Sequence, residues 1–251
     1  MADWSRSTAR LRDTYNDVMP KFKDKICVII PALNEEASIP KVVRDIPSDW
    51  IAEVVVVNNG SKDNTAKNAR EAGATVIDEP RRGYGSACLA GIEYLKNLPE
   101  PPAIVVFLDA DYSDFPQQIP EVIAPILEQN MDMVIGSRAL GKREKGSMTI
   151  PQVFGNKLAT TLLKWMHGAH FTDLGPFRAI RFSTLLDLNM VDTNYGWTVE
   201  MQVKAAKKKI NFCEVPVNYR QRIGISKVSG TVKGVIMAGY KIIWTIFKYA
   251  V

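Results

Sequence analysis

Short apolar runs alternate with segments of helical periodicity through the first half of this chain. Residues 26–30, 54–57, 75–77, 104–109 and 132–136 are rich in Val and Ile and too short for core helices, so they read as strands. Between them, apolar residues recur at helical spacing, as with Ile39, Val42, Val43 and Ile46. Pro40 then belongs to the first turn of that helix. Ser61 or Asp63 can cap the next helix, which ends near Gly73. Helices over 87–96 and 116–129 complete the pattern. Such alternation predicts a parallel sheet covered on both faces. Ligands of such sheets gather at the carboxyl ends of strands. Residues 31–35, 58–63, 109–111 and 136–138 all fall there.

The stretch 104–114, IVVFLDADYSD, carries the clearest chemistry. Its apolar half suits the centre of a sheet, but nothing in a strand demands Asp109 and Asp111 at its end. In an extended chain, residues two apart point to one side. Two carboxylates so placed can share a hard divalent cation such as Mg²⁺ or Mn²⁺, with phosphate oxygens completing the shell. The competing reading is a polar strand end with turn-forming Asp.

The second half is less regular. Residues 140–150 are charged and read as a mobile loop, and 156–168 as an amphipathic helix. A strand over 173–181 is entered by a Gly-Pro turn. A helix over 197–209, a strand over 211–217, a loop over 219–229 and an apolar helix over 231–250 follow. With no internal repeat or low-complexity linker, the simplest division has three parts. They are a polar arm or surface helix over 1–24, one domain over 25–229 and an appended helix over 230–251. A net charge of +5 suits phosphorylated ligands, an anionic membrane or nucleic acid about equally. Lys207, Lys208 and Lys209 form one short basic run without interleaved aromatics, which disfavours nucleic acid. Cys27, Cys88 and Cys213 sit in apolar contexts without metal spacing, as buried thiols of a reducing cytosol would. Residues 1–25 lack the apolar centre of a secretory signal.

Taken in order, the motifs VIIPALNEE, VVVVNNGSKDNT, RRGYGSA, VVFLDADYSD, VIGSR, TDLGPFRAI and WTVEM resemble those of inverting family 2 glycosyltransferases. The resemblance is strongest to the branch of dolichol-phosphate mannose synthase and polyprenyl-phosphate glucosyltransferases. It implies the α/β GT-A fold, a Rossmann-like, mostly parallel sheet flanked by helices, here with a C-terminal amphipathic helix. It also implies transfer of a hexose from a UDP-glucose-like or GDP-mannose-like donor to a polyprenyl phosphate, with Mg²⁺ or Mn²⁺.

By that resemblance, Pro31, Ala32, Asn34 and Glu35 border the nucleoside, although Asn34 and Glu35 can equally cap the next helix. The family usually has an acid where Asn58 or Asn59 stands, and Asn59 can still bond a base edge through its amide. Asp63 keeps its carboxylate for the nucleotide or for a cap. Arg82, Gly83 and Gly85 allow close approach to the nucleotide. Asp109, Ala110 and Asp111 face the diphosphate, with Asp109 and Asp111 on the metal and Asp111 as the direct ligand. Gln117 or Gln118 could add a polar contact, or merely lie on a surface helix. Arg138 and Arg178 are expected to grip the acceptor phosphate, and Asp173 to orient Arg178 by ion pairing. Glu200 stands where related enzymes carry an acidic base, and can instead line the sugar pocket. Trp197 is expected in the core. Arg222, Ser226 and Lys227 lie on a loop able to close over the diphosphate.

On a helical wheel Lys233, Lys241 and Lys248 share one sector of the last helix, and apolar residues fill most of the rest. An interfacial helix with snorkelling lysines fits that pattern, which places the enzyme at the cytoplasmic face of a membrane. A core helix or an oligomer contact is the alternative. A hydroxyl acceptor and a nucleotide-sugar-binding module without turnover are the other functional readings.

Overall fold

The computed structural model describes residues 25–224 and 232–249. Strands β1 (Ile26–Ala32), β2 (Glu53–Asn58), β3 (Thr75–Asp78), β4 (Ile104–Phe107), β5 (Met133–Ser137), β6 (Arg178–Arg181) and β7 (Phe212–Pro216) form one sheet. Its order is β3-β2-β1-β4-β6-β5-β7. All pairs are parallel except those of β6, which runs against β4 and β5. The expected mostly parallel α/β sheet is therefore present.

Strand β1 is buried throughout because helices cover both faces. Its alternate residues divide between two cores. Cys27 and Ile29 pack with Val55, Val105 and Phe107 on one face. Ile26, Val28 and Ile30 pack with Val56, Ile104 and Val106 on the other. The covering helices are α1 (Ile39–Asp45), α2 (Thr65–Glu71), α3 (Tyr84–Lys96), α4 (Ile119–Glu128), α5 (Ile150–His167), α6 (Phe182–Leu188), α7 (Trp197–Lys207) and α8 (Val232–Lys248). Pro40 lies in the first turn of α1. Cys27 and Cys88 are buried free thiols, and Cys213 is half-buried.

Three elements depart from the sequence reading. Helix α5 begins at Ile150, inside the expected loop, because Thr149 and Gln152 close a capping box. The Gln152 backbone N–H donates to Thr149 Oγ1, and Thr149 N–H donates to Gln152 Oε1 at 2.8 Å. The strand expected over 173–181 is confined to its last residues, Arg178–Arg181. Helix α6 follows it at once, burying Phe182, Leu185 and Leu188 one turn apart.

Helix α8 packs against α5 and α7. Thr245 and Ile246 turn into the core, while Ile236, Met237, Tyr240, Trp244 and Phe247 stay exposed. Lys241 does not lie in a snorkelling stripe. It pairs with the buried Asp192 at 2.9 Å, because its sector of the helix faces the loop before α7. The side chain of Lys233 lies outside the described residues.

Candidate active site

Two cavities meet at the carboxyl ends of β1, β2 and β4. The first has a volume of about 310 Å³. Pro31 and Ala32 at the end of β1, with Glu35 just beyond, form one wall. Asn59, Arg82, Gly83 and Tyr84 form the second, and Asp109, Ala110 and Asp111 close the floor after β4. Leu33, Ala87, Asn194, Tyr195 and Arg222 complete the lining. The second cavity, of about 330 Å³, shares Tyr84, Asp109, Asp111, Tyr195 and Arg222 with the first. Beyond that common wall it is lined by Arg138 and by largely apolar residues from α5, α7 and α8.

The shared wall is rich in charge. Asp111 is buried and pairs with Arg222 at 3.0 Å, and Arg222 also reaches Glu35 at 3.1 Å. Ile223 N–H donates to Asp111 O at 2.9 Å, which ties the Arg222 segment to the turn after β4. Arg220 lies 3.4 Å from the centre of the Tyr112 ring and fastens the same segment. Tyr84 donates its hydroxyl to Asp109 Oδ1 at 3.1 Å. Burial, and then the charge of Asp111, push the Asp109 carboxyl up to about 7. Burial raises Asp114, just behind, well above the usual carboxylate range.

This crowding of like charge tests the fit of a metal. Asp109 and Asp111 present oxygen ligands on the wall common to both cavities, and a divalent cation would offset their repulsion. Among the described residues no group of three or more His, Cys, Asp or Glu is arranged to hold a metal. A cation at this pair would draw its other ligands from donor phosphates and water, a habit of Mg²⁺. The residues therefore fit Mg²⁺ or Mn²⁺.

Several residues act otherwise than their sequence positions suggest. Asp173 pairs with Arg138, not with Arg178. Arg138 donates from its backbone N–H and Nε to Asp173 Oδ2, each at 2.8 Å, and from Nη2 to Oδ1 at 2.7 Å. Burial alone would raise Asp173, but the Arg138 charge and hydrogen bonds outweigh it and hold the carboxyl low. Burial likewise opposes the charge of Arg138, and Asp173 keeps it firmly protonated. Arg178 opens β6, whose reversed direction brings that end to the same edge of the sheet as the ends of β4 and β5. Its side chain turns inward, fully buried. It donates to the carbonyls of Gly175, Leu174 and Thr198, and it lines neither cavity.

Glu200 is also fully buried away from both cavities. It accepts from Val191 N–H and Asp192 N–H, from Lys204 at 2.7 Å and from the Tyr249 hydroxyl at 2.9 Å. Its carboxylate thus anchors the loop that carries Asn194 and Tyr195. The missing side chains of Gly83 and Gly85 make room for that same loop, and Gly83 also lines the first cavity. A Cβ on Gly83 (φ +141°) would lie 2.1 Å from Thr193 O, and one on Gly85 2.0 Å from Asp192 O.

Asn59 lines the first cavity, but its amide is committed to the wall. It donates to Glu79 O and Arg81 O, and Oδ1 accepts from Gly83 N–H at 2.8 Å. Asn34 and Asp63 lie outside the lining. Asn34 accepts from Lys62 N–H, and Asp63 accepts from Thr65 and Glu36 N–H, so both knit the β1 and β2 turns together. Gln118 accepts from Asn218 N–H at 2.7 Å, outside both cavities. Trp197 is buried, meets Phe107 edge-on and also faces the second cavity. Ser226 and Lys227 lie outside the described residues. Tyr84, Asn194, Tyr195 and Tyr219 line the site without having been singled out from the sequence. Only Tyr84 stood inside a recognisable motif, RRGYGSA.

The family model described as Glycosyl transferase family 2 matches residues 27–188, from β1 to the end of α6. An uncharacterized glycosyltransferase of Mycobacterium tuberculosis is 37% identical over 86% of this chain and 94% of its own length. A dolichyl-phosphate hexose transferase of Haloferax volcanii is 34% identical over 82% of this chain and 87% of its own. Glucosyl-3-phosphoglycerate synthase of M. tuberculosis, solved with Mn²⁺, UDP and phosphoglyceric acid, superposes with a TM-score of 0.73 at 20% identity. That match covers 96% of this chain and 82% of the synthase chain, and it shows the fold. The chain belongs to glycosyl transferase family 2 and is a glycosyltransferase of the GT-A fold.

Proposed function

We propose that this enzyme transfers a hexose from a nucleotide sugar to a polyprenyl phosphate presented at a membrane surface. One observation carries the reading: past the wall that holds Asp109, Asp111 and Arg222, the second cavity sets Arg138 among largely apolar residues. A guanidinium fork suits a phosphate, and the apolar walls suit the chain attached to it. Among the described residues, Asp109 and Asp111 are the only carboxylates lining that cavity. Asp173 and Glu200, the other candidate bases, are bound to Arg138 and to the 191–192 backbone. A hydroxyl acceptor needs a base, whereas a phosphate is already ionised at neutral pH. The dolichyl-phosphate hexose transferase among the relatives supports the same class of acceptor.

In this reading the nucleoside lies between Pro31, Ala32 and Arg82, with its diphosphate towards Asp111 and Arg222. An acceptor phosphate oxygen held by Arg138 attacks the anomeric carbon. The bond from that carbon to the diphosphate breaks, and its electron pair leaves with the nucleoside diphosphate. An α-linked donor thus yields a β-linked product. Arg222 brings positive charge to the leaving group. Mg²⁺ or Mn²⁺, held by Asp109 and Asp111, supplies Lewis-acid stabilisation there when bound. Asp173 keeps Arg138 charged and oriented. Peripheral work at the cytoplasmic face fits the free thiols and the apolar flank of α8.

The test incubates the protein with UDP-glucose or GDP-mannose, Mn²⁺ or Mg²⁺, and undecaprenyl or dolichyl phosphate. A β-linked glycosyl phosphate, identified by mass and NMR coupling, is the expected product. Transfer only to hydroxyl compounds, or retention at the anomeric carbon, would overturn the reading.

A further inference from the structure

The turn after β4 carries a strained residue. Tyr112 has φ +66°, a left-handed conformation that is costly for a bulky side chain. In this turn Asp111 Oδ1 accepts from Ser113 N–H at 2.9 Å and from Ser113 Oγ at 2.5 Å. The other carboxylate oxygen, Oδ2, is the one that meets Arg222. One oxygen of Asp111 is thus spent on the turn, and one serves the wall shared by the two cavities. The segment bearing Arg222 lies alongside. Tyr219 bridges antiparallel to Asp114, and Arg220 N–H donates to Ser113 O at 3.0 Å. The Arg220 guanidinium sits 3.4 Å from the centre of the Tyr112 ring and 4.2 Å from that of Phe115. It donates to Tyr112 O at 2.6 Å and to Asp114 O at 3.0 Å. Asp45 in turn accepts from the Tyr112 hydroxyl at 2.6 Å. Neither Arg220 nor Tyr112 lines a cavity of the site.

We propose that Arg220 and Tyr112 are positioning residues for the donor diphosphate. Their stack fixes Arg222 against the cavity-facing oxygen of Asp111, so that a guanidinium and a cation ligand reach one diphosphate together. This rests on the placement of the diphosphate given above, and it adds two residues that act without touching the donor. The physical reason is preorganisation. Asp111 and Arg222 are far apart in the chain, and without the stack their two segments would have to be ordered when the donor binds. A guanidinium over an aromatic ring, with two carbonyls fixing its orientation, supplies that order in advance. The strained backbone of Tyr112 belongs to the same device, since it turns Asp111 Oδ1 away to Ser113.

Glycine adopts a left-handed backbone at no steric cost, so Tyr112→Gly keeps the turn and removes the ring. Tyr112→Phe keeps the ring and removes only the bond to Asp45. Binding is measured by calorimetry with UDP or GDP in the presence of Mn²⁺, and by ligand NMR with uridine or guanosine, which lack the diphosphate. Arg220→Met and Tyr112→Gly are each expected to raise the Kd of the nucleoside diphosphate about tenfold, and that of the nucleoside by less than about twofold. Tyr112→Phe should bind the diphosphate within about twofold of the parent. The double variant should lose about tenfold rather than about a hundredfold, because both residues act through one contact. Equal losses for nucleoside and diphosphate, or no loss for either, would overturn the positioning role while leaving the donor site standing. A Tyr112→Phe affinity as weak as that of Tyr112→Gly, or additive losses in the double variant, would overturn the stack. If the unaltered protein binds neither UDP nor GDP with Mn²⁺, the donor reading and the positioning role fall together.

Discussion

Arg138 and Arg178 show how far one side chain's surroundings decide its work. Both stand beside apolar strand residues at the same edge of the sheet, but Arg138 lines the cleft and Arg178 is spent on carbonyls beneath it. Arg138→Ala should weaken acceptor use about tenfold to a hundredfold, since a charge-assisted hydrogen bond contributes about 1.5–3 kcal/mol. It should also cost stability, on the order of 3 kcal/mol, because Asp173 is left buried without its partner. Arg178→Met should lower stability by a similar order while leaving the acceptor KM near normal. Acceptor titrations beside denaturant melts separate the two outcomes. The pH dependence carries its own sign. In the native protein Asp173 titrates below its unfolded value. Its stabilisation is therefore complete above about pH 4 and lost as pH falls through the lower folded value. Without Arg138, burial governs and the folded carboxyl titrates above its unfolded value. The Arg138→Ala variant should then gain stability relative to the parent as pH falls from 7 towards 5. Unfolding midpoints across that range provide the check, and a constant difference would contradict it.

At the scale of elements, the loop before α7 governs the donor cavity although few of its residues touch it. Glu200 holds Val191 and Asp192, Asp192 accepts from Asn194 and Gly196 N–H, and Lys241 of α8 pairs with Asp192. Gly83 and Gly85 let this loop close against the start of α3. Gly85→Ala would set a methyl group 2.0 Å from Asp192 O, so the loop must retreat and carry Asn194 and Tyr195 with it. Donor affinity should fall about tenfold or more, as a misplacement near 1 Å can do. Calorimetry with UDP or GDP and Mn²⁺ measures it. Unchanged affinity would mean that the loop does not shape the donor seat.

The whole molecule joins two surfaces through one charged wall. Chelator should abolish transfer, and Asp111→Asn should lower turnover by at least about a hundredfold while thermal unfolding stays cooperative. Full activity of that variant in chelator would remove the metal from the mechanism. On the outer face, Phe154→Ser with Trp244→Ser should weaken co-sedimentation with anionic vesicles by about tenfold or more, given about 1.5–3 kcal/mol for a buried aromatic side chain. Unaltered sedimentation would mean that this face does not meet lipid. Much of this frame is legible in the sequence. The strand runs at 26–30, 54–57 and 104–109, the carboxylates that end the third and the order of the motifs fix a parallel sheet and the edge on which chemistry occurs. Those signals are local: a β-branched run or a carboxylate after a strand carries its meaning within a few residues. What only the tertiary structure decided is non-local. Asp173 chose Arg138 over the nearer Arg178 because β6 runs antiparallel and turns the Arg178 side chain inward. Glu200 became an anchor because α8 brings Tyr249 to it from 49 residues away. The cavity beyond Arg138 takes its lining from α5, α7 and α8, which are remote from one another in the chain. Periodicity tells which residues face inward, but which partner each meets depends on the relative placement of elements remote in the chain.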